Sequence, residues 1–204
     1  GRKVLLLDSN VLDVLGAETI GALPLLLGAI SLGAAYAVRA RGPHEAEARK
    51  AAIAWLSAQA GVDRNDIHVI GHSIGGGVAA LLALHDDVPV VSTASIGGIY
   101  RARTFSSWAA SKDNRDLVHF DPLDAAQVSL RILGPNVRDL KRPHVAYAGS
   151  EDRFARVYSQ HVLDRAQPLG APFSRQIVKG GHMASALPAV LNLLSRLLAD
   201  APRS

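Results

Sequence analysis

The chain of 204 residues contains no cysteine. That excludes a disulfide framework, a thiolate nucleophile and a cysteine-ligated metal site, and it leaves the redox compartment open. Aromatic residues make up only 5%, and Lys and Arg never run to five in succession. The net charge of +4 is therefore read as a solubility feature, and no nucleic-acid partner is expected. No internal repeat, low-complexity tract or linker breaks the chain, so it reads as one domain over 1–204. A hydrophobic content of 49% suits a sizeable core. No cleavage-site pattern separates Gly1-Arg2-Lys3 from the apolar run that follows, which favours the cytoplasm. Residues 19–38 lack charge altogether, over about the length of a membrane span. Pro24, Gly21, Gly28 and Gly33 interrupt that stretch. It reads as a buried helix followed by a buried strand, with no stable membrane insertion. Anchoring through it is the alternative.

The periodicity predicts strands at 4–7, 35–38, 67–70, 88–91, 145–148 and 173–178. Helices are predicted at 17–31, 42–60, 74–84, 154–166 and 187–198. Residues 99–142 hold glycine, proline, charge and Trp108 with weak periodicity. They read as loops, one or two helices and a small lid. Strands that alternate with helices imply an α/β fold, a mostly parallel sheet of about six strands covered on both faces.

The chemistry centres on Gly71-His72-Ser73-Ile74-Gly75-Gly76, a G-x-S-x-G motif between a predicted strand and a predicted helix. Strand, tight turn and helix make a nucleophile elbow. The turn is sharp enough to require residues without bulk on either side of the serine. It lifts the Ser73 hydroxyl off the sheet at a helix N-terminus. There the backbone N–H of Ile74 faces any oxyanion that forms. A serine hydroxyl needs a base within hydrogen-bond reach, and the base needs an orienting acid. Asp152 follows the predicted strand at 145–148, and His182 follows the one at 173–178 after Lys179-Gly180-Gly181. Both stand where open parallel sheets carry their active-site loops.

With Gly71–Gly76, Gly149-Ser150-Glu151-Asp152 and Gly180-Gly181-His182 in order, the chain resembles the α/β-hydrolase family over nearly its whole length. The resemblance implies a serine hydrolase with Ser73 as nucleophile, His182 as general base and then acid, and Asp152 as orienter. Its small size and glycine-rich turn are similar to esterases of the dienelactone-hydrolase or prolyl-oligopeptidase-like branch. The implied substrate is a small-molecule carboxylic ester, with no cofactor and no metal. The pattern departs at the second oxyanion donor. The family has His-Gly after the relevant strand, whereas Asp8-Ser9-Asn10 follows 4–7 here, leaving the backbone N–H of Asn10 or of Ser9 as the donor. The family's usual first two strands are also missing. These departures motivate an alternative, a catalytically weak binding protein that kept the fold; a thioesterase or peptidase is another.

Blander readings stand beside these. Asp152 can cap the helix at 154–166 as well as orient. Glu151 and Asp121 are weaker acid candidates, the first out of register and the second in the irregular region. His72 reads as packing under the elbow. His68 and His144 read as satisfied core histidines. His85 with Asp86 and Asp87 reads as a solvated helix end rather than a metal cage. Trp108 and Phe105 line a pocket or pack a loop.

Overall fold

The computed structural model describes residues 3–7, 53, 54, 57, 58, 65–115, 118 and 120–199. Five strands lie in one sheet: β1 (Lys3–Leu7), β2 (Ile67–His72), β3 (Ser92–Ile96), β4 (His144–Gly149) and β5 (Phe173–Val178). Their order is β1-β2-β3-β4-β5, and every neighbouring pair is parallel. Parallel neighbours require a crossover between them. Helices α1 (Ile74–Leu82), α5 (Arg153–Ala166) and α6 (Ala186–Ala199) each leave the end of a strand. Between β3 and β4 lie α2 (Ala102–Ala109), α3 (Ala125–Ser129), α4 (Leu133–Asn136) and a 3₁₀ turn, Val137–Asp139.

The core explains why the strands are apolar on both sides. All six residues of β2 are buried. Ile70, Ala94, Ile96 and Tyr147 pack against Ala186, Ala189 and Leu193 of α6. Ala146 and Phe173 pack in a separate cluster with Val162 and Ala166 of α5 and with Tyr100. Consecutive residues Ala146 and Tyr147 thus face opposite layers, as the two-residue period of a strand demands. Each fully buried aliphatic side chain of this kind contributes about 1.5–3 kcal/mol.

The α/β architecture with helices on both faces agrees with the sequence expectation. Two details differ. The described sheet has five strands, and the segment at 35–38 expected to form another lies outside the described residues. So do the expected helices at 17–31 and, apart from helical residues at 53, 54 and 57, at 42–60. The third strand is not 88–91 but Ser92–Ile96. Pro89 has no N–H to donate, and the Val90 N–H turns back to the Val88 carbonyl at 2.8 Å. Val88 and Val90 are buried as side chains of the connection, beside Ile53, Ile67 and Val69.

Ser92-Thr93-Ala94-Ser95 looks too polar for a central strand until its partners are seen. His144 is fully buried. Its Nδ1 lies 2.7 Å from Thr93 Oγ1 and its Nε2 2.9 Å from Ser95 Oγ. Ser95 Oγ is in turn hydrogen-bonded to Tyr100 OH. Burial pushes the Tyr100 phenol up and lowers His144 from 6.5 to about 3. The folded state therefore binds fewer protons at His144 than the unfolded chain does between those values. Its contribution is complete above pH 6.5 and is lost as pH falls towards 3. Urea unfolding between pH 7.5 and 4.5 is expected to show stability falling on the acid side by about 1.4 kcal/mol per pH unit from this group. His144→Gln is expected to remove that part of the slope.

Candidate active site

Register brings the C-terminal strand ends level. Leu7 pairs with Gly71, His72 with Ile96, Ile96 with Tyr147, and Gly149 with Val178. The chain leaving β2, β3, β4 and β5 therefore emerges along one edge of the sheet, carrying Ser73, Gly97, Asp152 and His182.

Ser73 joins β2 to α1 with φ 53° and ψ −114°. Among the described residues it is the one non-glycine residue with positive φ. Such a conformation costs about 1–3 kcal/mol and persists when the surroundings over-determine it. Here they do. The Ser73 N–H donates to the Ile96 carbonyl at 2.8 Å, and the Ser73 carbonyl accepts from the Gly77 N–H at 3.2 Å. The tightness of the turn also accounts for Gly71. A Cβ there would stand 2.0 Å from the Gly75 carbonyl oxygen, and one at Gly76 would stand 3.2 Å from the Ser95 Cβ. Ile74 is the first residue of α1, so its N–H has no partner one turn back in the helix.

Asp152 and His182 meet. His182 Nδ1 donates to Asp152 Oδ2 at 2.7 Å. That leaves Nε2 as the nitrogen with a lone pair, the arrangement a base requires. The Asp152 side chain is 7% exposed and that of His182 43%. The second Asp152 oxygen, Oδ1, accepts the Ala155 N–H at 2.9 Å, so the residue also caps α5. The two loops are tied together as well. The Glu151 N–H donates to the Gly180 carbonyl at 3.0 Å, and the Gly180 N–H to Ser150 Oγ at 3.2 Å. Gly180 itself has φ 112°, which favours glycine. Ser73 Oγ and His182 Nε2 are not hydrogen-bonded to each other here. Glu151 is exposed and Asp121 lies before α3, with Asp121 Oδ1 accepting the Leu123 N–H; the carboxylate that meets His182 is that of Asp152. Asn10 and Asp8 lie outside the described residues.

Three further residues bear on His182: Gly97, Ser185 and His72. A Cβ on Gly97 would stand 2.7 Å from His182 Cε1, so the ring lies directly against the Gly97 backbone. The Gly97-Gly98 pair directly follows β3 in the sequence. Ser185 Oγ donates to the His182 carbonyl at 3.0 Å. His72, expected to pack under the elbow, is buried and donates from Nε2 to that same carbonyl at 2.9 Å.

The remaining polar candidates have local explanations. His68 is held by Ser92 Oγ at 2.8 Å and Asp66 Oδ1 at 3.0 Å. His85 lies 3.8 Å from Asp87 at an exposed helix end, where Arg142 bonds the carbonyls of His85, Asp86 and Val88. No group of three potential metal ligands stands together among the described residues. No helix among them is long and apolar enough to cross a membrane. Phe105 stacks on Trp108 at 5.8 Å and on Phe120 at 5.7 Å, with the Arg131 guanidinium 4.2 Å from the Phe120 ring. These aromatics pack with one another in the segment that precedes β4.

No protein-family model matches the sequence, and no curated protein matches it significantly. Solved structures do match. The acylaminoacyl peptidase of Pyrococcus horikoshii superposes with a TM-score of 0.56 at 18% identity, over 74% of this chain and 27% of that one. A puromycin hydrolase gives 0.61 at 20%, over 81% and 27%. The S-formylglutathione hydrolase of Staphylococcus aureus gives 0.57 at 15%, over 81% and 65%. The fold is the α/β-hydrolase fold. The chain spans about a quarter of the length of the first two of these proteins and just under two thirds of the third.

Proposed function

We propose that the protein is a serine hydrolase that cleaves carboxylic esters through a covalent acyl-enzyme. The observation that carries this reading is the Asp152–His182 pair, closed at 2.7 Å and standing at strand ends level with the positive-φ serine. In the proposed mechanism Ser73 Oγ attacks the ester carbonyl as His182 Nε2 takes its proton. Asp152 holds the other ring nitrogen and stabilises the imidazolium. The N–H groups of Ile74 and Asn10 receive the oxyanion. His182 returns the proton to the leaving alcohol, then activates water to release the acid. The chemistry is assigned to these side chains and backbone groups, without a cofactor or metal. The chain is taken as a single domain, with the helices between β3 and β4 shaping the substrate side.

The solved neighbours support hydrolytic chemistry by their names, an esterase and an S-formylglutathione hydrolase among them. An amide substrate is the second reading, because acylaminoacyl peptidases share the fold at TM-scores of 0.56 and 0.62.

Fluorophosphonate labelling with intact mass and peptide mapping tests the assignment, alongside p-nitrophenyl esters of rising chain length. One adduct per chain, on Ser73, with ester turnover is expected. Folded protein that takes up no label would overturn the reading and favour a binding protein of the same fold.

A further inference from the structure

We propose that His72 is a positioning residue for His182, fixing the base relative to the nucleophile; this rests on reading His182 as the general base. His182 is nearly half exposed, so burial alone does not hold its ring. Its backbone is held instead. Two donors converge on its carbonyl oxygen, His72 Nε2 at 2.9 Å and Ser185 Oγ at 3.0 Å. They differ in what they connect. Ser185 is three residues along the same loop, whereas His72 lies 110 residues away and is the covalent neighbour of Ser73. One hydrogen bond thus ties the elbow directly to the loop that carries the base.

The acceptor is a carbonyl, so His72 must carry its proton on Nε2. His72 is 2% exposed, and its ring centroid lies 4.8 Å from that of His182 at 43°. The His182 ring is therefore bounded by the His72 ring, the Gly97 backbone and the Asp152 carboxylate. A rigid donor on a strand end is a firmer support than a loop hydroxyl. A displacement of about 1 Å in such a group is worth on the order of 10²-fold in rate.

Two substitutions separate this role from plain packing. His72→Phe keeps a ring and loses the donor. His72→Gln restores a donor at similar reach. The Phe variant is expected to lose about 10- to 100-fold in kcat on a p-nitrophenyl ester, with KM within about twofold. The Gln variant is expected to recover to within about threefold of the parent. Turnover at the parental rate in the Phe variant, or equal loss in both variants, would overturn the proposal. A second readout needs no turnover. Imidazole ¹H–¹⁵N spectra of the unsubstituted protein are expected to show His72 as the Nε2–H tautomer, and the His182 Nδ1–H resonance to shift or broaden in the Phe variant. A His72 Nδ1–H tautomer, or an unmoved His182 resonance, would count against positioning. Absence of turnover in the unsubstituted protein would instead count against the hydrolase reading, with the spectra still deciding the role of His72.

Discussion

Ser73→Ala is expected to lower kcat on an activated ester by on the order of 10⁴ or more while leaving the fold intact. The hydroxyl is the only group the substitution removes. The backbone contacts that define the turn, from the Ser73 N–H to Ile96 and from Gly77 to the Ser73 carbonyl, survive it. Turnover and the urea midpoint, measured on the same preparation, check both halves. Unchanged turnover would end the assignment of Ser73 as nucleophile. Ser73→Gly sharpens the comparison. At φ 53° and ψ −114° a side chain is unfavourable, and glycine relieves that strain while gaining freedom in the unfolded chain. The net effect expected is a gain of up to about 1 kcal/mol in stability together with the same loss of activity. A residue that both strains the fold and is required for turnover is what a nucleophile held by its surroundings should look like.

Much of this arrangement was legible in the sequence because it rests on local rules. Gly71 to Gly76 marks a turn that admits no side chain at its closest approach, and the would-be clash at Gly71 with the Gly75 carbonyl is the physical form of that rule. The apolar run Ile67-His68-Val69-Ile70 is a strand buried on both faces, and it reads as one. Asp152 and His182 were marked by their places after strands and by the glycines before them. What stayed hidden depends on long-range partners. The strand Ser92–Ile96 carries polar side chains, which the imidazole of His144, the Tyr100 hydroxyl and His68 make tolerable. Val88 and Val90 carried the apolar pattern of a strand, yet Pro89 between them rules out the ladder. The His72 hydrogen bond spans 110 residues and has no local signature. Residues 99–142, expected to hold one or two helices, hold three, Ala102–Ala109, Ala125–Ser129 and Leu133–Asn136, and each is too short for a repeating pattern to fix its bounds.

Asp152→Asn is expected to lower kcat by about 10⁴ while costing the fold little. The two oxygens of Asp152 do different work. Oδ1 accepts the Ala155 N–H and caps α5, and Oδ2 accepts from His182 Nδ1. Asparagine can keep the first bond with its carbonyl oxygen. Its amide then faces His182 as a donor, so Nδ1 must become the acceptor and the proton moves to Nε2. The nitrogen meant to take the Ser73 proton is then already protonated. Asp152→Ala removes the cap as well, and a missing cap costs about 0.5–2 kcal/mol. Comparing the two therefore divides the residue's structural share from its chemical one. Similar turnover losses, with a lower urea midpoint in the alanine variant alone, are the expected pattern. An asparagine variant as active as the parent would mean that His182 draws its orientation from His72, Ser185 and Gly97, with the carboxylate acting only as the cap of α5.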